Sequence, residues 1–320
     1  MKDIILNTLT FIDMMIKKNT LLYMLGFCVL LLTSFSTKDG IQKSKLRRIV
    51  IDAGHGGHDS GAPGKSSNEK DISLAISLKL EEMMKDQLPD IDVVLTRRVD
   101  VYDSPVDKAK IANQAKGDLF VCIHCNSADP IRRSEFVGYK TETYRKGHKK
   151  HTRQVKEYHT YSTPNPAKGT ETYIWGAHRN DLKLLAMKEN QSLYLDSNTA
   201  KSVEGFDVES PEKMNYINLK TRQYFDRSAY LALTIQQEFA KAGRINRDAL
   251  QRQVGIWVLQ AVAMPAVLVE TGYISNPEEE DYLNSPTGQT EIAQSIINAI
   301  KRYRTSLDNK TISTDLNSGK

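Results

Sequence analysis

Short apolar runs alternate with longer helical stretches through most of this chain. The strand-like runs lie at 48–53, 91–96, 118–125, 170–175, 254–259 and 265–270, and the helical stretches lie at 69–86, 106–116, 179–193, 222–243 and 286–304. Alternation of this kind is typical of a parallel sheet. It predicts an α/β fold: a single domain with a twisted, mostly parallel sheet of about six strands, covered by helices on both faces.

The first apolar run leads directly into a glycine-rich loop that contains a histidine. The run Ile49–Asp52 is followed by Gly54, His55 and three further glycines up to position 61. Such a loop lets the backbone approach a ligand closely, and it places His55 just beyond the carboxyl end of a strand. Glu69 heads the next helical stretch, where the first turn would hold its carboxylate firmly.

Two more chemically active side chains lie at strand ends. His124 ends the run 118–124, and alternation along a strand puts it on the same face as Phe120 and Cys122. Glu270 ends the run 265–270. Because binding crevices form where the carboxyl ends of such strands gather, His55, Glu69, His124 and Glu270 are predicted to meet at one edge of the sheet.

Two imidazoles and a carboxylate are a common zinc-binding set that leaves one coordination position for water. A second carboxylate could then act as a general base. Taken singly, each residue has an ordinary structural role: His55 as a surface or capping residue, Glu69 as a partner of the helix dipole, and Glu270 in a salt bridge. The prediction therefore depends on all four occurring in matching contexts.

With these motifs the chain resembles the zinc-dependent N-acetylmuramoyl-L-alanine amidases of the amidase-3 type. The matching stretches are IVIDAGHGGHDSGAPG at 49–64, EK at 69–70, VVLTR at 93–97, ANQAKGDLFVCIHCN at 112–126, GTETY at 169–173 and PAVLVETGYISNPEE at 265–279. The resemblance implies a catalytic domain at 46–304, with Zn²⁺ bound by His55, Glu69 and His124. It also implies that Glu270 activates the attacking water, and that the substrate is the amide between N-acetylmuramic acid and L-alanine in peptidoglycan.

Two other functions use the same residues. A non-catalytic peptidoglycan-binding protein could keep the fold and the metal, and a peptidase or deacetylase could use the same ligands on related substrates. The chain also departs from the family pattern at Lys108, where an arginine is usual, and at Cys122 and Cys125, where small residues are usual. We interpret both cysteines as small buried hydrophobic residues, and Lys108 as a change on the substrate side.

The N-terminal residues 1–37 are predicted to be a signal peptide or a membrane segment. An apolar run at 20–33 follows Lys17 and Lys18, and it is short for a membrane-spanning helix, which needs about twenty residues. This segment predicts export to the periplasm or cell envelope, with proximity to a membrane. Nucleic acid is not expected as a partner of an exported protein.

Three further segments carry predictions of their own. Residues 129–168 form a basic insertion with ten Lys or Arg against four acids. It is either a flap that grips anionic wall material or a membrane, or a solvated loop without a partner.

Residues 194–216 are predicted to be a regulatory lid, because relatives that act in cell division carry a zinc-covering helix here that an activator protein withdraws. Glu204, Asp207 or Glu209 would block the metal. Residues 305–320 are predicted to be a disordered tail.

Overall fold

The computed structural model describes residues 46–176, Lys183, 211–251 and 256–317. Within them, the strands are β1 Arg48–Ala53, β2 Asp92–Leu95, β3 Leu119–Asn126, β4 Ile131–Lys146, β5 Lys149–Thr163, β6 Thr170–Ile174, β7 Asn246–Gln251 and β8 Ala266–Tyr273. The helices are α1 Glu69–Gln87, α2 Pro105–Gln114, α3 Pro211–Lys241, α4 Trp257–Ala261, α5 Pro277–Asn284, α6 Pro286–Asn309 and α7 Ile312–Asn317.

Six strands form one mixed sheet in the order β2-β1-β3-β8-β6-β7. The strands β2, β1, β3 and β8 are parallel, whereas β6 is antiparallel to β8 and parallel to β7. This arrangement confirms the predicted α/β class and its mostly parallel sheet. The carboxyl ends of β1, β3 and β8 meet at one edge, where β6 begins.

Both faces of this sheet are covered by helices, as predicted. Ile51 and Val121 belong to a core cluster that also includes side chains of α1, α3 and α6. Val50 and Phe120, the neighbours of these residues along their strands, belong to a second cluster with side chains of α2 and α4. Because successive side chains of a strand point to opposite faces, a continuous apolar run such as 119–123 supplies both clusters.

The strand predicted at 254–259 is wrong. Residues Trp257–Ala261 form the short helix α4, with Val258 and Leu259 buried, while 254–255 lie outside the described residues. A short apolar run fits a buried helix as well as a strand, so hydrophobicity alone could not decide. The sixth strand is β7, whose sequence NRDALQ is polar because most of its side chains are exposed at the sheet edge.

The C-terminal tail also differs from expectation. The tail predicted to be disordered carries the end of α6 and all of α7, since Leu307 and Ile312 are buried and the Tyr230 hydroxyl lies 2.6 Å from Ser306 Oγ. Its polar composition concealed these apolar contacts. The basic insertion is a long antiparallel hairpin of β4 and β5, not an irregular loop.

Several predictions fall on parts of the chain that the structure does not describe. These are the N-terminal segment 1–37, the helix at 179–193 apart from Lys183, and the lid up to residue 210. The end of the predicted lid, from Pro211, is the first part of α3. Among the described helices, none combines the length and the apolar character needed to cross a membrane.

Candidate metal centre

The loop after β1 brings His55 back over the sheet edge. His55 adopts a φ of 56°, a left-handed conformation that is uncommon for residues other than glycine. Gly54 before it has no room for a side chain, because a Cβ there would lie 2.6 Å from Nε2 of His124. The buried Arg97 holds this turn by donating to the carbonyls of Gly54 at 2.7 Å and Ala53 at 3.1 Å. The backbone here is therefore constrained for close packing of two imidazoles.

Glu69, the first residue of α1, is buried between the two histidines. Its Oε2 accepts a hydrogen bond from the backbone N–H of Ala62 at 2.9 Å, and its Oε1 accepts one from the N–H of Cys125 at 3.0 Å. Each carboxylate oxygen is thus fixed by a different loop or strand. A carboxylate held in this way needs little reorganisation to bind a cation.

The two imidazoles each contact a different oxygen of this carboxylate. His55 Nε2 lies 3.1 Å from Glu69 Oε2, and His124 Nδ1 lies 2.7 Å from Glu69 Oε1. The rings meet edge to face with centroids 4.9 Å apart. One donor atom from each of the three residues lies within 4.8 Å of the other two. The structure therefore brings the three predicted ligands into one cluster.

Electrostatics within the cluster favour a positive charge. Burial alone would lower the pKa of His55, but hydrogen bonds and charges from Glu69 and Asp59 outweigh it and raise that pKa to about 8. Burial would raise the pKa of Glu69, yet hydrogen bonds from His124 and His55 hold it well below its usual range. A metal cation competes with protons for these same atoms.

The donor set fits a metal ion that binds nitrogen and oxygen ligands. Asp59 Oδ2 lies 2.9 Å from Nδ1 of His55, so this carboxylate orients the ring and leaves Nε2 directed toward Glu69. A carboxylate behind a histidine ligand is a frequent supporting contact in metal sites. Gly61 completes the pocket, since a Cβ there would lie 2.7 Å from Glu69 Oε2.

Glu270 lies beside this cluster on the neighbouring strand. The register of β3 and β8 places it directly opposite His124, and on its other side it faces Glu171 of β6. Its side chain is buried, and it lines an open cleft of about 500 Å³ together with His55, Glu69 and His124. The four residues singled out from the sequence thus share one edge and one cleft.

A buried ion pair, not foreseen from the sequence, lies in the wall of the cleft. Lys108 Nζ is 3.0 Å from Asp52 Oδ1 and donates to the carbonyl of Ala53 at 2.7 Å. Thr96 and Cys122 donate to the two oxygens of Asp52 at 2.6 and 2.9 Å. Lys108 and Asp52 also line the cleft, so the expectation that Lys108 changes the substrate side stays a prediction. The local sequence around Asp52 does not indicate that Lys108, which lies far along the chain, is its partner.

Both cysteines of β3 are free and buried, as interpreted from the sequence. Burial raises the pKa of the Cys122 and Cys125 thiols well above the usual value. A thiol that resists ionisation is a poor nucleophile and a poor metal ligand. Neither cysteine belongs to the metal cluster.

A second carboxylate-centred network flanks the cleft. Glu171 accepts hydrogen bonds from Asn126 at 2.9 Å, Tyr173 at 2.6 Å and Tyr273 at 2.7 Å, and it pairs with Arg247 at 2.7 Å. Burial would raise the pKa of Glu171, but hydrogen bonds from Tyr173, Tyr273 and Arg247 outweigh it and lower that pKa. The network ties the end of β3 to β6, β7 and β8, and it keeps Asn126 at the cleft.

Comparison with known proteins assigns the family. The model of the amidase-3 family, described as N-acetylmuramoyl-L-alanine amidase, matches residues 49–302. The N-acetylmuramoyl-L-alanine amidase AmiC of Escherichia coli O6:H1 is 30% identical over 266 residues, which are 80% of this chain but 52% of that protein, so the chain spans about half its length. The N-acetylmuramoyl-L-alanine amidase AmiA of Salmonella typhimurium is 26% identical over 288 residues, 88% of this chain and 86% of that protein.

A solved structure supports the fold. The N-acetylmuramoyl-L-alanine amidase of Clostridium difficile 630 matches with a TM-score of 0.52 and 24% identity, covering 82% of this chain and 99% of that structure. At this identity the likeness bears on the fold alone. The family match extends from β1 into α6 and includes His55, Glu69 and His124. The chain belongs to the amidase-3 family of N-acetylmuramoyl-L-alanine amidases.

Proposed function

We propose that this protein is a zinc-dependent N-acetylmuramoyl-L-alanine amidase that cleaves the amide between N-acetylmuramic acid and L-alanine in peptidoglycan. The observation that carries the proposal is the cluster of His55, Glu69 and His124 with Glu270 opposite His124 in the same cleft. Family membership supports the substrate class.

Zinc is the metal that these ligands suit best. Imidazole nitrogens favour zinc, copper, iron or nickel, whereas magnesium and calcium prefer sites made of oxygen. Two histidines and one carboxylate leave a position open, as catalytic zinc sites require. Metal analysis of the purified protein tests this assignment.

The residues of the chain suggest a division of labour in hydrolysis. When bound, zinc would supply Lewis acidity toward the amide carbonyl and toward water. Glu270 takes a proton from the attacking water while the water oxygen bonds to the lactyl carbonyl carbon. Glu270 then gives that proton to the alanine nitrogen as the C–N bond breaks. Glu69 keeps its position through the Ala62 and Cys125 N–H groups, and Arg97 keeps that of His55 through the carbonyl of Gly54. The products are a free lactyl carboxylate and a free L-alanine amine.

The cellular setting is also part of the proposal. The apolar segment at 20–33 favours export, which would place the enzyme in the periplasm or cell envelope, near a membrane. There it would serve cell-wall remodelling or the separation of daughter cells. The acidic segment 194–216 would act as a lid over the cleft until an activator protein withdraws it.

The test is mass spectrometry of purified peptidoglycan after incubation with the full-length protein and zinc. Wild type should release intact stem peptides with a free L-alanine amine, while Glu270→Gln should be slower by about 10²- to 10⁴-fold, as expected for loss of a general base. Glu270→Gln should keep its zinc, which separates loss of the base from loss of the metal.

Other products would overturn the proposal in distinguishable ways. Shortened peptides would indicate a peptidase, and released acetate would indicate a deacetylase. If the full-length protein is inactive, a variant lacking residues 196–214 tests the lid. Continued inactivity of that variant, together with unchanged peptidoglycan binding by Glu270→Gln, would favour a non-catalytic binding protein.

A further inference from the structure

The hairpin of β4 and β5 is unusual in its length and exposure. Its strands contain 16 and 15 residues, and their side chains are exposed almost throughout. At about 3.3 Å per residue the ribbon is roughly 50 Å long. A two-stranded ribbon is at best marginally stable alone in water, and it buries little apolar surface that could explain its presence. A surface of this kind is more readily explained by binding than by packing.

The strand register divides the hairpin into two chemically different faces. Pairs such as Tyr139 with Lys156 and Arg145 with Lys150 lie on one face, and a bulge at Val137 keeps Phe136 with Tyr158 on that same face. We call it the cationic face. Its four charged residues are all basic, Arg132, Arg145, Lys150 and Lys156, and its other members are three aromatic residues and seven Ser, Thr or Gln. Across the whole hairpin, which the structure describes in full, no carboxylate lies on this face.

The opposite face, which we call the mixed face, has a different charge pattern. It carries five Lys or Arg but also Glu135, Glu142 and Glu157. One of these acids is engaged by Arg153, whose Nη2 lies 2.6 Å from Glu142 Oε2. Part of its positive charge is therefore neutralised within the hairpin, whereas the charge of the cationic face is available to a ligand.

An aromatic group lies at the middle of the cationic face. Phe136 packs edge to face against Tyr139 and Tyr158, with ring centroids 5.3 and 5.8 Å apart. Despite this contact, Tyr139 remains 62% and Tyr158 52% exposed. Exposed aromatic residues next to cations are enriched at binding surfaces. Flanking hydroxyl and amide side chains add hydrogen-bonding groups along the ribbon.

The hairpin also grows from the edge of the sheet that carries the metal cluster. The first strand begins at Ile131, five residues after Asn126 at the end of β3, and the second strand leads into β6 with Glu171. Hydrogen bonds from Asn165 to the carbonyl of Asp129 at 3.0 Å and from the N–H of Ala128 to Ser275 at 2.9 Å hold the two ends. A polymer bound along the ribbon would thus be attached close to the cleft.

We propose that the cationic face binds an anionic glycan strand of the cell wall and holds it near the cleft. Lys and Arg would pair with carboxylates of the stem peptides, while the aromatic rings and hydroxyl groups would contact the sugars. The identity of the polymer rests on the proposed function, but the existence of the binding face does not. A membrane surface fits less well, because interfacial segments need aliphatic or aromatic side chains along their length, and Ser, Thr and Gln make up half of this face.

The test compares two variants of equal charge for co-sedimentation with purified sacculi, using full-length protein in a non-ionic detergent. The cationic-face variant carries Arg132→Gln, Arg145→Gln, Lys150→Gln and Lys156→Gln. The matched mixed-face variant carries Arg133→Gln, Lys140→Gln, Lys146→Gln and Lys149→Gln. We expect the first to raise the apparent Kd at least about 10-fold, and the second less than about 3-fold, since Glu135, Glu142 and Glu157 on the mixed face repel an anionic polymer and the cationic face has no carboxylate.

A second pair of variants examines the aromatic group. Tyr139→Ser with Tyr158→Ser should weaken sacculus binding, whereas Tyr144→Ser with Tyr161→Ser on the mixed face should not. Circular dichroism spectra and Tm values of all variants should match wild type, so that a difference in binding reports the face and not folding.

Three outcomes would overturn the inference. Equal losses in the two charge variants would mean diffuse attraction, and no loss in either would mean that the hairpin does not bind the wall. A cationic-face variant that loses binding to immobilised phosphatidylglycerol but keeps sacculus binding would assign the face to a membrane. Turnover of a soluble disaccharide-peptide is measured in parallel: if neither wild type nor the variant lacking residues 196–214 cleaves it, yet wild type binds sacculi through the cationic face, the proposed activity fails and the binding face stands.

Discussion

The sheet edge with the candidate metal cluster and the hairpin are neighbours along the chain but are stabilised in opposite ways. At the edge, buried carboxylates are fixed by backbone N–H groups: Glu69 by Ala62 and Cys125, and Glu280 by three successive residues, 65–67. Side chains of the hairpin remain exposed, and the hydrogen bonds of its two strands join the strands to each other. The proposed catalytic residues lie where hydrogen bonds fix the side chains. The proposed polymer contact lies where the side chains are exposed to solvent.

This difference has a physical origin. A catalytic cluster gains from groups that are already in position, because reorganisation during the reaction is costly. A surface that follows a long, variable polymer gains from several weak contacts, each of which can adjust. The same type of residue should therefore matter greatly at the edge and little in the hairpin, which matched substitutions can test.

Replacement of a histidine should give the largest contrast. His124→Ala removes one of the three proposed ligands, and we expect loss of the proposed zinc ion and a fall in kcat/KM of at least about 10³-fold, because a metal provides several kcal/mol of stabilisation in such reactions. His159→Ala, in the hairpin, should keep both zinc and activity. Metal analysis and turnover of a soluble disaccharide-peptide measure the two. Zinc retained at wild-type level in His124→Ala would contradict the assigned ligand set.

The buried ion pair should give the next largest effect. Lys108→Met leaves the Asp52 carboxylate buried without its ammonium partner, and we expect it to reduce the free energy of unfolding by about 3–5 kcal/mol. Lys140→Met, an exposed hairpin position, should change it by less than about 0.5 kcal/mol. Urea denaturation at pH 7 compares the two. Equal stabilities would mean that the pair of Lys108 and Asp52 does not support the fold.

The sequence predicted those features that depend on local pattern. Continuous apolar runs identified β1, β3 and β8, and the positions of His55, His124 and Glu270 at their ends followed from these runs. The apolar run 254–259 predicts a strand, but Trp257–Ala261 form a helix. Apolar character does not distinguish a strand from a buried helix of five residues. β7 was missed because an exposed edge strand needs no apolar side chains.

Contacts between distant segments could not be predicted in this way. The pairing of Lys108 with Asp52 and the network around Glu171 join residues that only the folded topology brings together. The hairpin was foreseen as a basic insertion, but its two faces depend on the strand register and on the bulge at Val137. Without the bulge, regular alternation through 136–138 would put Phe136 on the same face as Gly138, which is the mixed face.

The pH dependence of stability should show how strongly the Glu280 carboxylate stabilises this edge of the sheet. Burial would raise the pKa of Glu280, but backbone hydrogen bonds from Ser66 and Lys65 and further bonds from Ser67 outweigh it and lower that pKa to about 2. A carboxyl group whose pKa is lowered by folding stabilises the folded state at pH values above its ordinary pKa. This contribution is lost as pH falls from about 4.5 toward 2. We expect the loss to be about 2–3 kcal/mol.

Comparison of Glu280→Gln with wild type isolates this contribution. The variant should be less stable at pH 7, and the difference from wild type should shrink between about pH 4.5 and 2. Glu142→Gln, in the exposed ion pair of the hairpin, should show a difference of no more than about 1 kcal/mol at any pH. Chemical denaturation at several pH values measures both. A constant difference between Glu280→Gln and wild type would show that the carboxylate charge is not what anchors the loop.

Removal of the hairpin should have the smallest effect on the folded core. Residues 131–163 can be replaced by a short Gly-Ser linker, since Asp129 and Asn165 are already held together at the base. We expect the free energy of unfolding to change by less than about 1 kcal/mol. Stability depends only weakly on loop length, and the hairpin buries few side chains of its own. Turnover of a soluble disaccharide-peptide should stay at the wild-type rate, while binding to sacculi should weaken. A large loss of stability or of turnover on the small substrate would mean that the hairpin supports the sheet edge, and the contrast between the two regions would then disappear.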